Sequence, residues 1–344
     1  MENKTPSTPN RGDTGLTVRA ESLVMATSVQ QSASDGSSRP GTRRQNRLGG
    51  PPGRVGADRP WAIVPPMKFG IALGALNPAF FEEAVLEAES LGFESCWLPE
   101  HLVLTDDMTG SPHPGEDSPP IPPTTPVFDA FGMLCFLAAR TSRIRLGTNV
   151  YLMGLRHPFT AARAVQTLDL VSQGRAEIGI GAGWLRQEWH ATGLDPRTRG
   201  RRLDEALEVC RRLWTEPSVA HDGEFFEFDA VHFEPKPIQK PHPRIHVGGE
   251  SEAALQRAAR AGDGWIGIEQ PVEVVAQSVA RLQCLRREFG REDQDFQVTI
   301  GAQLKDREHL AAFEEAGVQR IIVRPWRRSP EAIQGLRAFA ENFL

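Results

Sequence analysis

The sequence predicts an α/β protein built as a closed (β/α)8 TIM barrel, and three observations predict it. From Met67 onward, short apolar runs alternate with stretches of helical periodicity. Eight such runs occur before the C-terminus. Residues 67–344 also have the length such a barrel needs, roughly 250 residues plus insertions. Strict strand–helix alternation implies parallel strands joined by helical crossovers. An open doubly wound sheet of this length would carry fewer strands, or a second domain with its own composition.

Each element has a local reason. Residues 68–73, Lys-Phe-Gly-Ile-Ala-Leu, read as a buried strand. Asn77 before Pro78 reads as a helix N-cap with proline in the first turn. Phe81, Val85 and Ala88 follow at helical spacing, and Gly92 ends the helix. Residues 95–99, 144–150 and 176–181 form the next three strands, and further strands begin at Arg244, Gly264, Gln297 and Arg320. Helices are expected at 202–214, 251–261 and 272–289. Two insertions interrupt the alternation. After strand 2, residues 104–126 are rich in Pro, Asp, Ser and Gly. They extend a loop at the barrel end where active sites form, so a lid is expected. After strand 4, residues 215–243 contain Gly223-Glu224-Phe225-Phe226-Glu227-Phe228, an alternating hairpin-like run. Its phenylalanines suit packing, a pocket wall or a dimer contact.

Residues 1–66 differ. They are rich in Ser, Thr, Gly, Pro and Arg without apolar periodicity, a composition that buries too little surface to offset chain entropy. They are expected to be a disordered extension, or to precede the true start, because Met67 stands directly before the first strand. The barrel domain is therefore set at 67–344.

Composition excludes several classes. A net charge of −5 and a pI near 6.0 give no electrostatic case for nucleic acid. No apolar run approaches the roughly 20 residues that span a bilayer, so no membrane partner is expected and the protein is read as cytoplasmic. The four cysteines lie far apart, with no CxxC and no Cys/His pair at metal spacing. They read as reduced thiols, and no metal is expected.

Candidate chemistry sits at strand ends. Strand 2 runs into Glu100-His101, at the mouth of the predicted barrel. Histidine can exchange a proton near neutral pH, and Glu100 could orient it or bind substrate; a surface histidine beside a capping glutamate is the plainer alternative. Strand 4 runs into Gly181-Ala182-Gly183, where backbone N–H groups can approach a ligand. The spacing is not the dinucleotide fingerprint. Strand 5 runs into Gly248-Gly249-Glu250-Ser251, either an anion site at a helix N-terminus or an ordinary turn capped by Ser251. Arg199, Arg201 and Arg202 could clamp an anionic tail or form a solvated helix start. His157, His242 and His246 read as structural or loop residues.

These stretches occur in an order that resembles a known family. Trp97-Leu98-Pro99-Glu100-His101, Arg145 to Val150, Arg156-His157-Pro158, Gly179 to Trp184, Arg201 to Leu207 and His246 to Ser251 together resemble the luciferase-like monooxygenase superfamily, most of all its F-420-dependent oxidoreductases. The resemblance covers nearly all of the barrel and none of residues 1–66. It implies an oxidoreductase acting on a small organic substrate with the deazaflavin coenzyme F-420, or alternatively an FMN-dependent monooxygenase using reduced flavin and oxygen. It implies that Glu100 and His101 sit by the reactive face of the ring, and that Asn149–Val150 is a cis peptide bulge behind it. Gly181, Ala182, Gly183, Gln187 and Glu188 would line the ribityl and phosphate side. Gly248 and Gly249, with Glu250 beside them, would give N–H groups to the phosphate. A homodimer is also implied. The chain departs from the family's sugar-phosphate dehydrogenases at Trp184, where some carry glutamate; that acid role and that substrate are not carried over.

Overall fold

The structure is a computed structural model that describes residues 66–74, 76–110 and 121–344. The expected N-terminal extension falls outside the described residues except for residue 66, as does much of the loop after strand 2.

Eight parallel strands close on themselves in the order β1-β10-β9-β8-β7-β4-β3-β2. They are β1 (Lys68–Ala72), β2 (Ser95–Leu98), β3 (Arg145–Tyr151), β4 (Ala176–Ile180), β7 (Arg244–Gly248), β8 (Gly264–Gly267), β9 (Gln297–Gly301) and β10 (Arg320–Val323). The predicted (β/α)8 barrel and its eight strands are present. Helices α1 (Phe81–Leu91), α2 (Ala130–Arg140), α3 (Pro158–Val171), α4 (Arg186–Ala191), α5 (Arg199–Thr215), α6 (Glu252–Ala261), α7 (Val272–Glu288), α8 (Arg307–Glu315) and α9 (Ala332–Phe343) accompany them.

The helices form for legible reasons. In α1, Phe81, Ala84, Val85 and Ala88 make one buried stripe, and Gly92 ends it at φ 95°. The residues after Asn77 first make a short 3-10 turn, Pro78–Phe80, with the Asn77 side chain accepting from the Ala79 N–H. The main core lies between the strands' outward faces and the helices. A smaller cluster of Trp97, Ile266 and Ile322 fills the barrel interior. Gly147 lies where any Cβ would collide with the Trp97 ring, so that strand position must stay bare.

The barrel's N-terminal end is plugged by charge. Glu177 is buried and pairs with Arg145 and His246, with the Arg320 guanidinium 3.6 Å away. Arg320 also holds Glu94 at 2.7 Å and lies 5.1 Å from the Trp97 ring centre. Burial pushes the Glu177 carboxyl up, but Arg320, His246 and Arg145 outweigh it and hold the group well below the usual carboxylate range.

The hairpin-like run at 223–228 lies in a hairpin: β5 (Val219–Asp222) pairs with β6 (Glu227–Val231), and 223–226 make the connection. Glu205 of α5 accepts the Phe225 and Phe226 N–H groups and so fixes that turn. The phenylalanines pack: Phe226 lies 5.5 Å from the His157 ring and Phe228 4.7 Å from the Phe159 ring. All four cysteines are free, and burial pushes the Cys96 thiol up to about 12, which keeps it protonated.

Candidate active site

The C-terminal mouth begins where β2 ends at Leu98. Glu100 and His101 follow on the next turn of loop but have separate partners. Glu100 is 5% exposed; it accepts the Leu152 N–H at 2.8 Å and is paired with the Arg156 guanidinium. Arg156 itself lies 4.6 Å from the centre of the Tyr151 ring. Burial raises the Glu100 pKa above its ordinary value, against the pull of Arg156. The carboxylate is therefore a strut between the loops after β2 and β3. The expectation that it orients His101 is corrected, because its lone pairs are engaged elsewhere.

His101 is oriented by another carboxylate. Its Nδ1 lies 2.9 Å from Glu188 Oε2 on α4, and Glu188 is fully buried. Glu188 also accepts the Leu102 and Val103 N–H groups at 2.6 and 3.4 Å. A buried carboxylate acting only as acceptor puts the proton on Nδ1 and leaves Nε2 as the ring's exchanging atom. Trp184 meets the imidazole edge-on, with ring centres 5.7 Å apart. The expectation that Glu188 lines a ribityl or phosphate pocket is thus corrected: it has no exposed surface to offer. Gln187 is likewise engaged with the insertion after β2, donating to Asp107 at 2.8 Å and Thr109 at 3.3 Å.

The neighbouring rim is built on β3, β4 and β7. The β3–β4 register shifts between Thr148 and Tyr151, and within that irregularity the Asn149–Val150 peptide is cis, as expected. The Val150 side chain lies where Cβ atoms on Gly181 and Gly248 would be, 2.5 and 2.6 Å from them. The bareness of these two glycines makes room for the protein's own valine. Gly249, at φ 116°, donates its N–H to the Ile266 carbonyl at 3.3 Å, so the expectation that this N–H serves a phosphate is corrected too. Glu250 accepts the Ile268 N–H at 2.8 Å. Ala182 packs on the main core, and Gly183 sits beside Trp189, whose buried Nε1–H has no acceptor among the described residues. Ser251 caps α6: its side chain accepts the Ala254 N–H at 3.3 Å, and its carbonyl accepts the Ala254 and Leu255 N–H groups at 2.8 and 3.0 Å.

The arginines at the start of α5 form no clamp. Arg199 donates to the Pro196 carbonyl, Arg201 pairs with Glu224, and Arg202 donates to the Gly154 carbonyl. His157 caps α3, His242 bonds the Pro243 carbonyl and His246 is buried against Glu177; all three are structural. Sequence reasoning missed Arg156 as a clamp and Glu188 as the partner of His101. These pairs are 56 and 87 residues apart, and no local spacing signals contacts of that range.

A family model described as luciferase-like monooxygenase matches residues 63–337. The chain belongs to the luciferase-like monooxygenase family. An uncharacterised family relative from Mycobacterium tuberculosis is 34% identical over 260 residues, covering 74% of this chain and 91% of that one. The F420-dependent glucose-6-phosphate dehydrogenase of Kineococcus radiotolerans is 32% identical over 206 residues, 58% of this chain and 56% of that one. The FMNH(2)-dependent dimethylsulfone monooxygenase of Pseudomonas putida is 28% identical over 211 residues, 60% and 55% respectively. As a luciferase-like protein the chain is an oxidoreductase with relatives that use F420 and relatives that use FMN. No helix among the described residues is long and apolar enough to cross a membrane.

Proposed function

We propose that this chain is an F-420-dependent oxidoreductase that moves a hydride to or from a small organic substrate, with His101 handling the accompanying proton. The observation that carries this reading is the His101–Glu188 pair. When an alcohol carbon loses hydride, its hydroxyl must lose a proton in the same direction of reaction. An imidazole with Nδ1 held by a buried carboxylate has Nε2 free to take that proton, and to return it when a carbonyl is reduced.

Residues of the mouth fit a flat ring with an anionic tail. Val150, wedged between Gly181 and Gly248, makes a firm apolar backing beside Asn149. The unpartnered Trp189 Nε1–H near Gly183 is a donor suited to a polar or phosphorylated chain. When bound, the deazaflavin supplies the hydride donor or acceptor. The protein's part is to seat it, to place the substrate against Nε2 and to keep water out. Trp184, edge-on to His101, gives that side of the mouth an aromatic wall. A homodimer forms part of the same proposal and is checked by sedimentation of the full chain.

Anaerobic titration with F-420 and with FMN, each in both redox states, tests the reading. Saturable F-420 binding is expected, with absorbance at the deazaflavin band changing when substrate alcohols or carbonyls are added. Tight FMN binding without F-420 binding would overturn it in favour of a flavin monooxygenase.

A further inference from the structure

A pocket with charged residues in its lining lies at the mouth, apart from the residues around His101. Its volume is about 440 Å³, and Gln303, Arg324, Trp326, Arg327, Glu331 and Gln334 line it. It lies beyond the C-terminal ends of β9 and β10, against the start of α9. These are the seventh and eighth strands of the barrel. Across (β/α)8 enzymes the loops after those two strands, with a short extra helix, are where a phosphate commonly sits. A short 3-10 helix, Ser329–Glu331, stands there in this chain.

Three observations give the pocket its chemistry. The guanidinium groups of Arg324 and Arg327 are exposed and make no ion pair among the described residues, unlike their neighbour Arg328, which pairs with Glu331. Trp326 is 5% exposed, and its buried Nε1–H has no acceptor among the described residues. The one carboxylate in the lining, Glu331, is engaged by Arg328 at 2.6 and 2.8 Å. Two cations thus line a space whose one carboxylate is already engaged, and Trp326, with its unpartnered indole N–H, belongs to the same lining. The frame is also fixed. The Pro325 carbonyl lies against the bare Gly335 of α9, and Ser329 accepts the Asn77 N–H at 2.8 Å, tying this loop to the one after β1.

We infer that this pocket binds the carboxylate or phosphate end of a small molecule held at the mouth. Arg324 and Arg327 supply charge-assisted hydrogen bonds, and the Trp326 indole N–H supplies a fixed third donor. The inference does not depend on which redox cofactor the enzyme uses.

The test follows the Trp326 indole N–H resonance of the full chain, identified by its loss in Trp326→Phe. Inorganic phosphate and glutarate are titrated separately, at constant ionic strength set with sodium chloride. A saturable shift with either probe is expected, and the tighter probe reports whether phosphate or carboxylate is the natural group. In Arg324→Gln/Arg327→Gln, a pair of exposed substitutions, the affinity should weaken about tenfold or more. The inference is overturned if neither probe moves the resonance, if sodium chloride alone reproduces the shift, or if the double variant binds as the parent does.

Discussion

At the scale of the residue, two adjacent side chains divide the work of the mouth. Glu100 is locked to Arg156 and Leu152 N–H, and His101 to Glu188. His101→Ala should lower kcat by about 10²–10⁴-fold while leaving cofactor affinity near the parent value, because general acid–base catalysis contributes on that order. Glu188→Gln should cost about 10²-fold in kcat, the usual effect of misplacing a catalytic group by a fraction of its hydrogen-bond length. Steady-state kinetics alongside equilibrium cofactor titration separates these from a folding defect. Glu100→Gln acts differently: it leaves the half-buried Arg156 charge without its counter-ion, so unfolding in urea should show up to about 3 kcal/mol of lost stability. A fall in kcat with unchanged urea stability would contradict the strut role.

At the scale of the element, the β3 irregularity meets β4 and β7 through one side chain. Val150 occupies the space that Cβ atoms on Gly181 and Gly248 would need. Gly181→Ala and Gly248→Ala should each destabilise the fold by about 1–3 kcal/mol, the range for overpacking a filled site. Adding Val150→Ala should restore part of that loss, and a double-mutant cycle measures the coupling. Additive effects would mean that the three residues do not share one space.

At the scale of the whole molecule, the two barrel ends have different tasks. The N-terminal end is closed by Glu177, Arg145, His246 and Arg320, and the C-terminal end carries the site. Glu177 is depressed in the folded state relative to the unfolded chain. Its contribution is therefore present above the ordinary carboxylate pKa and is lost as pH falls through the depressed value. Glu100 is raised, so its contribution runs the other way: present below the ordinary value and lost as pH rises through the raised one. Thermal unfolding followed from neutral pH to about pH 3 should show falling stability in the parent, and a flatter acid limb in Glu177→Gln. Equal acid slopes in the two proteins would remove Glu177 as the source.

The sequence by itself determined the barrel, because alternation of period and the caps at Asn77, Ser251 and Gly92 are local properties, read within a few residues. It also marked the irregularity at Asn149–Val150 and the histidine at the end of β2, since both sit in short stretches with a resemblance of their own. Only the tertiary structure decided what these residues touch. Closing the ring brings α4 beneath the loop after β2, so Glu188 meets His101; it brings the loop after β3 against Glu100, so Arg156 meets it. It also places Val150 between two glycines from different strands. The physical reason is range: a hydrogen-bond partner dozens of residues away is chosen by the packing of whole elements, and no local pattern carries that choice.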